Sequence, residues 1–580
     1  MDVSFFDRQR QLQRLATEDF DILVIGGGIT GVGVALDAVS RGLHTALVER
    51  DDFASGTSSK SSKLIHGGIR YLQQGEIGMV YEALRERQRL RRNAPHLVQI
   101  LTFMIPILTR DGLVSRKIAR ALGTALWMYD LTGGWRIGRF HRRLKTDAAC
   151  QHLPTLPRER VASAYLYYDA AADDARLCLA VARTAAQHGA AVVNQCRVDK
   201  VLHDSHGKVC GVQVQPSSGK AFDIRAHTVV NAGGVWADHV READTGLDPH
   251  SIRPAKGIHI TVPWKLIRND VAVVIPVRKD KRSLFIVPWI ANSDGTYQYA
   301  YVGTTDTDYP GSVDESQCSA QDISYLLDAL NAAITTNITG DDVTGVWSGL
   351  RPLLRNPDGT AGSGKTADLS RRHKIEHSSS GLISITGGKL TTYRKMAQDT
   401  VDAVMRQLGR SAKCRTKRLP IIGADGFSET SLRAGDLHLA HRYGTESDVI
   451  RELINHEPRL AEPLIPGLPY LRAEAIFAAR YEMAMTLDDI LTRRTRARLI
   501  NRRATLAQAQ NVAELIAPEM HWTAENITFQ VAQFVELCAR EEAAGQISEA
   551  EFLVSHSQSV PFNDATEPNL MNDGNNDRTD

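Results

Sequence analysis

Residues 21–50 read DILVIGGGITGVGVALDAVSRGLHTALVER. A short apolar run is followed by glycines, then by apolar residues at helical spacing, then by a second apolar run. The pattern predicts strand, glycine turn, helix and strand, a βαβ unit. The same pattern returns at GLISITGGKLTTYRKMAQDTVDAVMRQLG, from residue 381. Residues 1–19 predict a short polar helix, and 76–93 a very basic one. Short alternating runs over 190–230 predict strands that end in another glycine turn, NAGGVWAD. Residues 252–310 (IHITV, VAVVIPV, SLFIVPW, QYAYVGT) predict more strands, and 320–335 a helix. A basic, then Gly/Pro-containing linker spans about 411–430. From 431 to 553 the periodicity is helical, with Ile476, Met483, Leu487, Ile490 and Leu491 on one helical face. The final residues, rich in Asn and Asp, predict a disordered tail.

The chain has 580 residues, too many for one ordinary core, so two or three domains are expected. Lys+Arg number 69 and Asp+Glu 67, so no global field favours nucleic acid. The seven cysteines are scattered without a C-x-x-C, which suggests neither a zinc site nor a disulfide framework and fits a reducing compartment. The N-terminus does not read as a signal peptide, and no apolar stretch of about 18 residues predicts a membrane span.

Gly26, Gly28 and Gly31 form G-x-G-x-x-G straight after a strand, and Glu49 ends the next strand at the spacing of a ribose ligand. The helix N-terminus there suits a pyrophosphate. The following stretch, RDDFASGTSSKSSKLIHGGIRYL, is a long polar loop that favours an extended FAD over a nicotinamide cofactor. GTAGSGKT, residues 359–366, also matches the phosphate loop of NTPases, G-x-x-x-x-G-K-[ST]. That motif needs a strand before it and a helix at its lysine. GLRPLLRNPD precedes it and ADLSRRHKIEH follows, so NTPase activity is a remote alternative and the stretch is expected to be a connector.

ILVIGGGITG, GTSSKSSKLIHGGIRYL, YDAAADDARL, NAGGVWAD, GLRPLL, ITGGKLTTYRKMA and LDDILTRRTRAR, in this order, resemble the FAD-dependent glycerol-3-phosphate dehydrogenases, the respiratory quinone-linked enzymes. Glycerophosphate oxidases are close kin. The resemblance covers about residues 20–510. It implies an α/β fold: an FAD-binding doubly wound, Rossmann-like domain interleaved with an antiparallel-sheet substrate domain, plus a C-terminal all-helical domain. The expected boundaries are 1–19 for the N-terminal helical segment and 20–420 for the interleaved domains, with the substrate part at roughly 76–165 and 240–350. The helical domain is expected at 421–555 and the tail at 556–580.

The resemblance also implies a reaction: sn-glycerol 3-phosphate to dihydroxyacetone phosphate, hydride from C2 to flavin N5, electrons to a membrane quinone. It assigns Arg70, Tyr71, His259, Arg351, Arg371 and Lys389 to the substrate, with Arg372 a rival of Arg371. Arginine suits a phosphate dianion because its planar fork binds oxygens bidentately. To FAD it assigns Gly26, Gly28, Gly31, Glu49, Thr57, Ser58, Ser59, Lys63, Val198, Gly233, Gly388, Lys389 and Thr391. The base for the C2 hydroxyl stays open between His66 and His259, and a lysine such as Lys389 would stabilise an alkoxide without one. No metal site is expected.

Two stretches suggest attachment to an anionic lipid surface. Residues 394–418 are basic with Val401, Met405 and Leu408 on one side, and 110–145 combine basic residues with Trp127, Tyr129 and Trp135. A peripheral protein on the cytoplasmic face of the membrane is expected. A glycerophosphate oxidase using O2, or a related flavin amine or amino-acid oxidase, is the alternative function. Homodimerisation is left open.

Overall fold

The computed structural model describes residues 4–68, 76–108, 116–277, 283–355, 372–429 and 437–557. Arg70, Tyr71, Arg371, GTAGSGKT and most of the expected tail lie outside these residues.

One sheet has six strands, in the spatial order Lys374–His377, Ile383–Thr386, Val229–Asn231, Ile22–Ile25, Thr45–Val48, Ala191–Val193. All neighbours run parallel except the Lys374–His377 edge strand. The central strand Ile22–Ile25 is apolar at every position because both faces are covered. Ile22 and Val24 face the helices Ile29–Ser40, Asp174–Gln187 and Tyr393–Gln407. Leu23 and Ile25 face the helix Arg8–Thr17 and a three-stranded meander over 196–225. This is the doubly wound domain that the resemblance implied.

The other large sheet has ten strands and is antiparallel apart from one pairing, Ala272–Pro276 with Gln99–Leu108. Its members come from 64–171, 252–308 and 345–354, so the chain leaves the dinucleotide sheet and returns to it twice. The helix expected at 320–335 is Ala320–Asn331, opened by a Ser319/Asp322 capping box. From Leu437 the described chain is helical and packs a core of its own around Leu487, Leu491, Val512 and Ile516.

Two readings are corrected. Ile476, Met483, Leu487, Ile490 and Leu491 do not share one helix. Helix Arg472–Tyr481 ends, Met483 adopts φ +50°, and a π-helix spans Asp489–Arg494. Ile476, Met483 and Leu487 then pack into three different clusters. The apolar side of 394–408 is also unavailable to lipid. Val401 and Met405 are buried in the doubly wound core, against the helix Ile29–Ser40. In the other stretch Tyr129 is fully buried, but Trp127 is 56% exposed and Leu131 71%.

Candidate functional site

A cavity of about 560 Å³ lies between the two sheets. The doubly wound sheet supplies one part of its wall, through Gly26, Gly28, Glu49, Gly233 and Gly388, and the meander adds Val198. The antiparallel sheet supplies the other, through Phe285, Thr304, Arg351 and Leu353.

The first glycine turn is as tight as its sequence requires. Gly26 has φ +112°, and a Cβ there would sit 2.7 Å from the Ala232 carbonyl oxygen. A Cβ on Gly31 would sit 1.9 Å from the Gly26 carbonyl oxygen, so Gly31 sets the strand-to-helix distance without lining the cavity. Gly28 meets only Ser58 Oγ, at 3.2 Å, and faces the open space. Ile29 N–H donates to Ser58 Oγ (2.9 Å), which ties the helix N-terminus to the polar loop. Glu49 accepts from the Gly27 and Asp51 N–H groups (2.5 and 2.9 Å), and burial pushes its carboxyl up to about 7. The second turn is held by Asn231, whose Oδ1 accepts from Gly233 N–H (3.0 Å). In the third, Gly387 and Gly388 have φ +76° and +84°. Thr391 Oγ1 there accepts from His66 N–H (3.0 Å) and so ties this turn to the polar loop.

These residues fit a dinucleotide. Two backbones pass without side chains, a helix N-terminus opens onto the space, and a carboxylate stands at the end of the second strand. Gly26, Gly28, Glu49, Thr57, Ser58, Val198, Gly233, Gly388, Lys389 and Thr391 all reach the cavity. Ser59 and Lys63 turn away from it. Lys63 Nζ is buried 3.2 Å from Asp174 Oδ1 and 4.6 Å from the Trp347 ring, and burial lowers it to about 8. Sequence reasoning missed Ser61, Ser62, Trp236 and Thr304, which line the cavity. Alternation along GTSSKSSK was the available signal, but its phase is set by partners far away in the chain.

On the other wall, Arg351 Nη1 donates to Thr305 O (3.2 Å) and Asp306 Oδ1 (3.1 Å), and Nη2 to Thr304 Oγ1 (3.2 Å). Gly257 makes this possible, since a Cβ there would sit 2.5 Å from Arg351 Nη2. Lys389 and His66 also line the cavity. His259 does not. It is 2% exposed, stacked on Trp347 at 4.7 Å, with Nε2 2.9 Å from Ser62 Oγ. Burial, then Lys63 and Arg351, hold it well below the usual histidine range, so it is neutral. Gly303 clears its ring: a Cβ there would meet His259 Cδ2 at 2.1 Å. Arg372 is exposed and paired with Glu76 (2.7 Å). GTAGSGKT lies beyond the described residues; Gly345–Leu354 before it is an antiparallel strand, and 374–377 after it is another.

A cavity bounded by three glycine turns, with a carboxylate at the end of the second strand, is the arrangement of a doubly wound dinucleotide-binding protein. The family described as FAD dependent oxidoreductase matches residues 21–394, and the C-terminal domain of alpha-glycerophosphate oxidase matches 414–527. Within that class the chain belongs to the FAD-dependent glycerol-3-phosphate dehydrogenase family, and its cofactor is FAD. It is 39% identical to a Mycobacterium tuberculosis protein named glycerol-3-phosphate dehydrogenase 2, over 92% of this chain and 89% of that one. It is 37% identical to the mitochondrial glycerol-3-phosphate dehydrogenase of Mus musculus, over 89% and 73%. The crystal structure of the Bacillus halodurans glycerol-3-phosphate dehydrogenase complexed with FAD superposes with TM-score 0.70 at 30% identity, covering 93% of this chain and 97% of that one.

Proposed function

We propose that this protein oxidises sn-glycerol 3-phosphate to dihydroxyacetone phosphate and passes the electrons to a membrane quinone. The observation that carries the reading is a dinucleotide cavity that is also lined by Arg351, Thr304, Lys389 and His66. FAD, when bound, supplies the hydride acceptor for the C2 hydrogen. Arg351 and Lys389 bring positive charge to a phosphate dianion, and Arg351 is pre-oriented by Asp306 and Thr304. His66 stands on the wall as acceptor for the C2 hydroxyl proton. His259, kept neutral, reaches the cavity only through the Ser62 hydroxyl. Lys389 lowers the cost of the negative charge that builds on oxygen as the hydroxyl proton leaves.

The relatives' printed names support the substrate. The quinone reading is supported by a surface suited to the interface, where Trp127, Leu131 and Phe140 are exposed beside Arg139 and Arg142. A protein attached there sits where its acceptor dissolves, on the cytoplasmic face. The test is anaerobic addition of glycerol 3-phosphate, which should bleach the flavin at once. A quinone analogue should then restore the colour far faster than oxygen does. Fast recovery in oxygen alone would make the protein an oxidase, and no bleaching would remove the substrate.

A further inference from the structure

We propose that the C-terminal helical domain is a working part of the cofactor site, with Arg493, Arg494 and Arg496 as positioning residues that hold the polar loop 52–63 against FAD. This goes beyond the reaction and requires only that the cavity holds FAD.

The loop has two sides. Thr57, Ser58, Ser61 and Ser62 line the cavity. Asp52, Ser59 and Lys63 point the other way and are buried. Asp52 meets the last two residues of the π-helix Asp489–Arg494, and Ser59 meets Arg496 just after it. Arg493 Nε and Arg494 Nη1 each lie 2.6 Å from Asp52 Oδ2, and Arg494 Nη2 2.9 Å from Oδ1. Arg496 Nη2 donates to the Ser59 carbonyl (2.7 Å) and to Asp174 Oδ1 (2.6 Å). Asp174 Oδ2 in turn accepts from the Ser61 N–H and hydroxyl (3.0 and 2.7 Å). One guanidinium thus fixes the carbonyl that closes the Thr57–Ser59 turn and the carboxylate that orients Ser61. Ser58 of that turn is the residue that accepts from the helix N-terminus at Ile29.

Two facts show that the contact is built rather than incidental. Arg496 is 1% exposed. It also holds φ +68°, a left-handed conformation that costs an arginine free energy and persists only where its surroundings impose it. Arg498, two residues on, is also buried, but its hydrogen bonds stay within the helical domain, to Thr492 Oγ1 (2.8 Å) and Glu541 Oε1 (3.1 Å), and to the loop it offers only its charge, near Lys60. It is therefore an internal control.

The experiment titrates FAD into deflavinated full-length protein and reads flavin fluorescence. Arg496→Gln should raise the FAD dissociation constant about tenfold or more, while Arg498→Gln leaves it within about twofold, the scale separating a lost charge-assisted hydrogen bond from none. Arg496→Lys keeps the buried charge if the glutamine variant fails to fold. A lysine reaches one of the two acceptors, so its affinity should fall between wild type and the Gln variant. The double variant Arg496→Gln with Asp174→Asn should lose less FAD affinity than the sum of the two single variants, because the Arg496–Asp174 contact is broken in both. Wild-type affinity in Arg496→Lys, equal losses in the 496 and 498 variants, or additive losses in the double variant would each overturn the proposal.

Discussion

Gly28→Ala and Gly31→Ala should separate holding the cofactor from holding the fold. At position 31 the new Cβ would lie 1.9 Å from the Gly26 carbonyl oxygen. An ordinary contact is about 3.4 Å or more, so the helix Ile29–Ser40 must move away by roughly 1.5 Å. It is packed on Asp174–Gln187 and Tyr393–Gln407 and has nowhere to go without repacking both. Overpacking of this kind costs about 1–3 kcal/mol. At position 28 the Cβ would meet only Ser58 Oγ at 3.2 Å, in a φ −73°, ψ 170° conformation open to alanine. The cost to the protein without FAD is then that of a poorer helix cap, under about 1 kcal/mol. FAD would find a methyl group where its phosphates approach the backbone. The assay is urea unfolding of deflavinated protein, with and without excess FAD. Gly31→Ala should lower the midpoint in both series. Gly28→Ala should leave the first nearly unchanged and lose most of the added stabilisation in the second, about 2.7 kcal/mol in wild type at FAD one hundred times its dissociation constant. An alanine at 28 that binds FAD normally, or unfolds as early as the one at 31, would refute the division of labour.

Three further outcomes are expected. Gly257→Ala displaces the Arg351 guanidinium without touching the glycine turns, so it should raise KM for the phosphate substrate about 10–100-fold while flavin content stays normal, as a loss of about 1.5–3 kcal/mol implies. His259 is neutral in the fold but takes a proton when unfolded below about pH 6.5, so the unfolded state binds more protons there and stability falls with acid by up to about 1.4 kcal/mol per pH unit; His259→Gln should flatten that part of the pH–stability curve. Trp127→Ser with Leu131→Ser should cut sedimentation with anionic vesicles, and wild-type binding should weaken as salt rises; unchanged sedimentation in both tests would remove this face from the membrane reading.

The glycine turns were legible because glycine at a strand end followed by a helical period has few structural uses. The burial of His259 and Lys63 was not. Lys63 sits in a stretch that borders the cavity and His259 in a strand behind it, and each side chain's direction is set by Asp174 or Trp347, which no local pattern connects to them. The apolar side of 394–408 raises a similar ambiguity. Periodicity reveals that a helix has an apolar face, not whether a lipid or the helix Ile29–Ser40 covers it. The face read across 476–491 failed for a local reason, a methionine at φ +50° in a sequence with no glycine to announce the break. Arg496 stood in LTRRTRAR, a stretch that was recognised without any role for its arginines.

The pairing of Asp52 with Arg493 joins residues 441 positions apart. During synthesis at about 5–20 residues per second, the loop that lines the flavin cavity therefore waits roughly 20–90 seconds for its arginines. Until then Asp52 and Asp174 lack the guanidinium groups of Arg493, Arg494 and Arg496. A chain stopped before residue 493 should carry every residue that lines the cavity and yet hold FAD more weakly than the full chain. Full FAD affinity is thus expected only once residues 493–496 have been made and have reached the polar loop.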